Sequence, residues 1–200
     1  MLKVYGDVNS GNCYKVKLLL HLLDVPCEWV NVDILKGETR TQEFLAMNPN
    51  GKIPALELDN GEFLSESNAI LCYLGDGTEY LPADKLQRAR VMQWLFFEQY
   101  SHEPNIATSR YIIRYLGRPK EREADLDARS KPGYAALDVM EQHLRTRQYF
   151  VGGRYSIADI GLYAYTHVAE EGGFDLSRFE ALRTWLGRVQ SHPRHVTMNG

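Results

Sequence analysis

Residues 48–74 read NPNGKIPALELDNGEFLSESNAILCYL, and this stretch says most about the fold. Ile53-Pro54 opens a short apolar run, and proline is tolerated at the first position of a strand because no ladder hydrogen bond is needed there. Asn60-Gly61 separates that run from a second one and is a strong hairpin signal. The stretch therefore predicts two antiparallel strands, followed by a helix over residues 68–74.

The start of that helix has the features of a ligand site. Ser67 is a preferred capping residue, and the unpaired N–H groups and positive dipole end of a helix attract an anion. The neighbouring Glu66 carboxylate attracts a cation. If the bond before Pro54 is cis, the backbone N–H and C=O of Ile53 turn outward and can pair with an extended ligand. Together these features predict a site for the α-amino acid end of a peptide; taken singly, each also fits an ordinary hairpin or an ordinary capped helix.

The composition excludes several classes of protein. Of the 200 residues, 44% are apolar and 24% charged, which is typical of a soluble globular protein. No apolar run approaches the ~20 residues of a membrane span, and the first residues already form a strand pattern, so we expect no signal peptide. Three widely spaced cysteines predict neither a disulfide framework nor a zinc site. We therefore expect a cytoplasmic protein with reduced thiols and no metal.

The charge is unevenly distributed along the chain. Residues 1–80 hold 6 Lys and Arg against 12 Asp and Glu, whereas residues 81–200 hold 17 against 14. Neither half is basic enough to indicate nucleic acid as the main ligand.

The chain divides into an alternating half and a helical half. The pattern predicts strands at 2–6 and 27–32, helices at 14–24, 41–47 and 68–74, and the hairpin between them. The strand-helix-strand start implies a right-handed crossover and a parallel pair. After a breaker-rich segment at 75–82, helices are predicted at 84–116, 121–147, 156–171 and 178–190. We therefore expect an α/β domain over 1–76 and an all-helical domain over 84–200.

Ser156 and Asp159 form a predicted capping box. The serine stands at the N-cap and the carboxylate three residues later, while Tyr155 and Ile160 are spaced to form a hydrophobic staple. We interpret this motif as a folding element.

Ser10 lies between the first strand and the first helix. The order of elements resembles the thioredoxin-like fold, which carries its reactive group at this place, where a helix N-terminus stabilises a thiolate. Glutaredoxins have Cys-x-x-Cys here, whereas this chain has Ser10-x-x-Cys13. A serine cannot form a mixed disulfide, but its hydroxyl can donate a hydrogen bond to a bound thiolate and lower the pKa of that thiol. A turn or capping serine is the alternative.

Ser10, Ile53-Pro54 and Glu66-Ser67 together resemble the glutathione site of the glutathione S-transferase family, over nearly the whole chain. The spacing from Ser10 to Val16 resembles the serine-type delta and theta classes. The resemblance implies a thioredoxin-like domain followed by a helical domain, glutathione as co-substrate and Ser10 as the catalytic residue. Asn12 and Cys13 are the competing activators, although Cys13 also fits a packed thiol.

The resemblance further implies how glutathione is bound. Glu66 and Ser67 hold its γ-glutamyl end, and Ile53 pairs with its backbone. Lys52 is the preferred partner of the glycyl carboxylate, with Lys36 and Arg40 as further candidates. Some theta-type relatives have a histidine where this chain has Thr39, which leaves the choice of cation open.

Aromatic and polar side chains of the helical domain are candidates for the acceptor site. His102, Tyr111 and Tyr115 would give a lining suited to a small hydrophobic electrophile, although each also fits packing between helices. The family resemblance and a stripe formed by Arg88, Met92 and Phe96 predict a homodimer.

Three functions follow from these residues. The first is a detoxifying transferase that conjugates glutathione to electrophiles. The second is a glutathione-dependent disulfide or peroxide reductase. The third is a non-enzymatic interaction module like the stringent starvation proteins, against which the retention of Ser10, Ile53-Pro54 and Glu66-Ser67 argues.

Overall fold

The computed structural model describes all 200 residues, which form two compact units. The first unit comprises residues 1–76 together with residues 193–200, and the second comprises residues 77–192. The sequence prediction had placed the last eight residues with the helices. No helix is both long enough and apolar enough to cross a membrane.

The first unit contains a four-stranded mixed sheet. Its strands are β1 (Leu2–Gly6), β2 (Cys27–Asn31), β3 (Ala55–Glu57) and β4 (Phe63–Ser65), in the order β2-β1-β3-β4. β1 and β2 are parallel, and the other two pairs are antiparallel. The predicted thioredoxin-like topology and the hairpin are therefore confirmed.

Helices cover both faces of this sheet: α1 (Gly11–Leu23), α2 (Gln42–Met47) and α3 (Ser67–Gly75). Successive residues of a strand point to opposite faces. Accordingly, Leu56 packs with residues of α1 and α3, whereas its neighbour Ala55 packs with Phe44 of α2. α1 starts before the predicted Tyr14, because Ser10 caps it and that cap offsets the poor helix propensity of the first helical residues.

The strand register brings three loops to one edge of the sheet. β1 ends at Gly6, and the preceding Tyr5 pairs with Ala55, the first residue of β3. Ala55 in turn pairs with Ser65, the last residue of β4. The segment before β3 and the segments after β1 and β4 therefore lie at the same edge.

The last eight residues pack along α1. The Tyr14 hydroxyl donates to the Val196 carbonyl at 2.8 Å, and Lys17 Nζ donates to the Met198 carbonyl at 3.1 Å. Arg194 donates to the Leu22 carbonyl at 3.2 Å, and so satisfies a carbonyl that the end of the helix leaves unpaired. These contacts make the C-terminal segment part of the first unit.

The second unit is helical: α4 (Lys85–Phe97), α5 (Glu103–Arg110), α6 (Glu123–Leu144), α7 (Ile157–Thr166) and α8 (Glu180–Gln190). The helix predicted over 84–116 is interrupted by π-helical segments at Glu98–His102 and Tyr111–Tyr115. Pro104 follows the first of these within the first turn of α5. Proline lacks the N–H of a regular helix interior, so a change of hydrogen-bond pattern accompanies it.

α7 is the central helix of this unit, and all ten of its residues are buried. The predicted capping box is present: Ser156 N and Ser156 Oγ each donate to Asp159 Oδ2 at 3.0 Å. The other carboxylate oxygen accepts from Trp185 Nε1 at 3.0 Å and from Phe150 N at 3.1 Å. The motif therefore joins α7 to α8 and to the segment before it.

Candidate active site

Ser10 is the N-cap residue of α1. Its backbone is extended (φ −80°, ψ 123°), and its Oγ accepts a hydrogen bond from Cys13 N at 3.4 Å. The side chain is only partly buried. Because capping uses a lone pair of the oxygen, the O–H group keeps its capacity to donate to a ligand.

Cys13 lies in the interior beneath this cap. It is fully buried, and burial raises the pKa of its thiol to about 12. A Cβ at Gly6 would come within 2.8 Å of Cys13 Sγ, so the sulfur is tightly enclosed. A thiolate is disfavoured in this environment, and we do not retain Cys13 as an activator.

The N-terminus of α3 differs from the prediction in one respect. Glu66, not Ser67, occupies the N-cap, and its carboxylate makes no capping bond. Ser67 is the first helical residue, and its Oγ donates to Asn12 Oδ1 at 3.2 Å. The prediction that Ser67 caps the helix was wrong, because tertiary contacts with α1 engage its hydroxyl. These contacts also place Asn12 against α3.

Glu66 adopts an uncommon backbone conformation. Its φ is 66° and its ψ 108°, a region that residues with a side chain rarely occupy. Such strain costs about 1–3 kcal/mol and is concentrated at functional sites. The Glu66 side chain is exposed, directly before the N-terminus of α3.

The segment before β3 reaches the same sheet edge. The bond between Ile53 and Pro54 is cis, as predicted. Asn48 Nδ2 donates to the Lys52 carbonyl at 2.6 Å and holds this segment in place. Ile53 is partly buried, and the Lys52 side chain is exposed.

The three candidate cations have different surroundings. Lys36 Nζ pairs with Asp33 at 3.1 Å, and this contact lowers the pKa of Asp33 and raises the pKa of Lys36. Arg40 Nη1 donates to the Asn50 carbonyl at 3.4 Å. Lys52 forms no ion pair, and so its exposed ammonium remains available to an anionic ligand.

The acceptor-site candidates of the second unit also differ from one another. The rings of Tyr111 and Tyr115 lie 5.3 Å apart, and Tyr111 is exposed. His102 is fully buried, with its Nε2 2.9 Å from Thr166 Oγ1. Because none of its surface is exposed, His102 fits packing between helices better than contact with a substrate.

Lys15 contacts the start of α3, and the sequence analysis did not single it out. It is fully buried, and its Nζ donates to Ser67 Oγ and to Asn68 Oδ1, each at 3.3 Å. A signal was present, because Lys15 precedes Leu18, Leu19 and Leu22 at the spacing of one buried helix face. In neither unit do three or more His, Cys, Asp or Glu side chains lie together as metal ligands.

Comparison with known proteins identifies the family. Models of the glutathione S-transferase N-terminal and C-terminal domains match residues 9–76 and 105–193. The crystal structure of a glutathione S-transferase from Pseudomonas fluorescens is 61% identical, with a TM-score of 0.97 over 98% of each chain. A glutathione transferase from Pseudomonas putida, solved with one glutathione disulfide bound per subunit, is 26% identical, with a TM-score of 0.85 over 96% of this chain and 88% of that one.

Two relatives from Escherichia coli K12 cover most of the sequence. The disulfide-bond oxidoreductase YfcG is 29% identical over 191 residues, which cover 92% of this chain and 88% of the relative. The glutathione S-transferase GstB is 30% identical over 207 residues, which cover 99% of this chain and 98% of the relative. The two domain models, the fold and these identities agree, and the chain belongs to the glutathione S-transferase family.

Proposed function

We propose that this protein is a glutathione transferase in which Ser10 activates the thiol of glutathione for attack on small electrophiles. The observation that carries this proposal is the meeting of three features at one sheet edge: the Ser10 hydroxyl at the N-terminus of α1, the N-terminus of α3, and the Ile53-Pro54 segment. Family membership supports glutathione as the thiol, since two relatives of this fold have been solved with glutathione bound.

At the sulfur end, the Ser10 O–H donates to the thiolate. A hydrogen bond to the charged form lowers the pKa of the thiol from about 8.5 and increases the fraction of nucleophile at neutral pH. The positive dipole end of α1 acts in the same direction. The thiolate then forms a C–S bond with the electrophile, and a leaving group departs or the electrophile takes up a proton.

At the other end, the γ-glutamyl carboxylate binds the backbone N–H groups of Ser67 and Asn68, and the exposed Glu66 carboxylate attracts the amino group. The Ser67 hydroxyl already donates to Asn12, which favours the backbone groups as the donors. Ile53 pairs with the backbone of the tripeptide. Lys52 is the preferred partner of the glycyl carboxylate, with Lys36 and Arg40 as weaker candidates.

We further propose that Tyr111 and Tyr115 contact the electrophile and that the protein is a homodimer. Phe96 of α4 and Tyr100 of the π-helical segment that follows it are four residues apart and are 70% and 87% exposed. These two exposed aromatic side chains support an apolar contact surface at the end of α4. Sedimentation at micromolar concentration tests the assembly; a monomer would contradict it.

Glutathione-dependent disulfide reduction is the second candidate, favoured by the similarity to YfcG. The same thiolate would attack a disulfide sulfur, displace a thiolate and leave a mixed disulfide with glutathione. A second glutathione thiolate would attack the glutathione sulfur of that mixed disulfide, displace the remaining thiolate of the substrate and form glutathione disulfide. Because Ser10 cannot form a disulfide itself, both electrons come from glutathione.

Two assays on the wild-type protein decide between these readings. Conjugation is measured with an aryl halide such as chlorodinitrobenzene, and reduction with hydroxyethyl disulfide coupled to glutathione reductase, each against the uncatalysed rate. We expect retention on immobilised glutathione and conjugation as the faster reaction. Faster reduction would favour the second candidate, and failure to bind glutathione would favour the interaction module.

A further inference from the structure

An open groove in the second unit is lined by the end of α6, the turn that follows it, and α8. It has a volume of about 740 Å³, which is in the range of small-molecule sites, and its lining is mainly polar. Four of the residues that line it are arginines: Arg145, Arg147, Arg178 and Arg188. The acids that line it are Glu141 and Glu180. The groove therefore carries an excess of positive charge in a chain with a formal net charge of −3.

One of the two acids is engaged by the protein itself. Glu141 is buried, and its carboxylate accepts hydrogen bonds from Ala181 N at 3.3 Å and from Leu182 N at 2.9 Å, at the start of α8. It thereby balances the positive dipole end of that helix. The same carboxylate lies 3.6 Å from Arg145 Nε. Glu141 therefore pairs with one arginine of the groove and leaves the others without its charge.

Arg147 and Arg188 have no carboxylate partner. Arg188 Nη1 donates to the Gln148 carbonyl at 2.6 Å. Arg147 Nη1 donates to the His143 carbonyl at 3.4 Å and to Thr146 Oγ1 at 3.3 Å. These acceptors are neutral, and each guanidinium has five N–H donors. Both side chains therefore bring an unpaired positive charge and further donors to the groove.

Two of the guanidinium groups are held by aromatic rings. The guanidinium carbon of Arg188 lies 5.7 Å from the centroid of the Tyr149 ring, and that of Arg178 lies 4.5 Å from the centroid of the Phe179 ring. Arg178 Nη2 also lies 3.0 Å from Asp138 Oδ1. These contacts restrict the side chains before a ligand arrives, and so less conformational freedom is lost on binding.

We propose that this groove binds a small phosphorylated molecule with two or more negative charges, through Arg147 and Arg188. The guanidinium fork matches the oxygens of a phosphate group and stays charged at every physiological pH. A phosphate group offers three strong acceptor oxygens and more charge than a carboxylate, which suits a groove with several arginines. Arg145 and Arg178 add to its positive charge. The inference goes beyond the proposed function and does not require glutathione.

Calorimetry with inorganic triphosphate tests the proposal. We expect the wild-type protein to bind one triphosphate per chain, with an affinity that falls as the salt concentration rises, because ions screen exposed charges. Arg147→Gln and Arg188→Gln should each weaken binding about tenfold or more, since each removes a hydrogen bond between charged groups. Arg188→Lys should restore only part of the loss, because it keeps the charge and loses the fork.

Arg183→Gln is the matched control. Arg183 is another exposed arginine of α8, but it does not line the groove, and so the affinity should stay within about twofold of wild type. Circular dichroism checks that each variant is folded. Conjugation of glutathione should keep its wild-type rate in all of them, since none of these arginines belongs to the candidate active site.

No binding of triphosphate at millimolar concentration would overturn the proposal, and so would an equal loss in Arg183→Gln, which would indicate a diffuse charge effect. Citrate that binds as tightly as triphosphate would overturn the assignment to phosphorylated ligands. Hexaglutamate that binds more tightly than triphosphate would also overturn it and would indicate an acidic segment of a protein as the partner. Failure of the wild-type protein to bind glutathione would refute the proposed function and leave this inference unaffected.

Discussion

Ser10 and Ser156 occupy the same local position in the two units, at the N-cap of a helix, yet their hydroxyls have different surroundings. Ser10 is partly exposed, and its oxygen accepts one long bond from Cys13 N. Ser156 is 2% exposed, and its hydroxyl donates to the buried carboxylate of Asp159. The Ser10 hydroxyl is therefore accessible to a ligand, whereas the Ser156 hydroxyl is buried and bonded to a carboxylate of the core.

The comparison teaches that a capping serine is a candidate catalytic group when its hydroxyl is partly exposed, and not when the hydroxyl is buried against a carboxylate. Both serines satisfy a helix N-terminus, so helix formation does not distinguish them. The two serines differ in their burial and in the hydrogen-bond partner of the hydroxyl. Mutations at the two caps should therefore separate activity from stability.

The largest effect is expected from Asp159→Ala. The substitution removes the acceptor of four donors around the buried cap, so the free energy of unfolding should fall by roughly 3–5 kcal/mol. Urea unfolding followed by circular dichroism measures this change. A loss below about 1 kcal/mol would contradict the role we assign to the motif.

The protonation of Asp159 should also be visible in the pH dependence of stability. Burial raises the pKa of Asp159 to about 6 in the folded protein, although its four hydrogen bonds oppose the shift. Between about pH 4 and pH 6 the folded state then binds more protons than the unfolded state, and so this group's contribution to stability falls as the pH rises. The difference amounts to roughly 1–3 kcal/mol across this range.

Asp159→Asn isolates that contribution, because other carboxyl groups, such as Glu57, have a lowered pKa and act in the opposite direction. The difference in unfolding free energy between the wild type and the Asn variant should shift against the wild type from pH 4 to pH 6. A constant difference would show that Asp159 is ionised throughout this range.

At the exposed cap, Ser10→Ala should mainly affect chemistry. Turnover with an aryl halide should fall about 10- to 100-fold, because one hydrogen bond to a charged group is worth about 1.5–3 kcal/mol, while glutathione binding stays nearly unchanged. The pH profile should shift upward, since the pKa of the bound thiol rises. Ser156→Ala is the control and should retain wild-type turnover. Wild-type turnover in Ser10→Ala together with a large loss in Asn12→Ala would identify Asn12 as the activator.

The smallest effect is the difference in stability between the two cap deletions. Ser156→Ala should destabilise the protein by about 1–2 kcal/mol, because Asp159 loses a buried partner. Ser10→Ala should cost less than about 1 kcal/mol, since its cap bond is long and partly exposed. Thermal unfolding of both variants checks the order, and the reverse order would mean that Ser10 serves mainly to stabilise α1.

The motifs that the sequence predicted well are those whose cause lies within a few residues. The Asn60-Gly61 hairpin, the cis bond before Pro54 and the Ser156 capping box are present as expected. Turn chemistry and capping depend on neighbouring backbone groups, which a local pattern contains.

The features that the sequence did not predict depend on contacts between distant segments. Ser67 was expected to cap α3, but side chains of α1 engage its hydroxyl. For His102 the sequence left two interpretations open, the acceptor site and packing between helices, and its contact with Thr166 supports the second. The packing of Tyr14 and Lys17 against the last residues of the chain also joins segments far apart in sequence.

The sequence by itself determined the order of strands and helices, the hairpin and the capping box at Ser156, because hydrophobic period and turn chemistry act locally. Only the tertiary structure decided which polar groups are exposed, which thiol is buried, and that a lysine of α1 lies under the start of α3. Those outcomes depend on burial and on hydrogen-bond partners, and both arise when segments distant in sequence pack together.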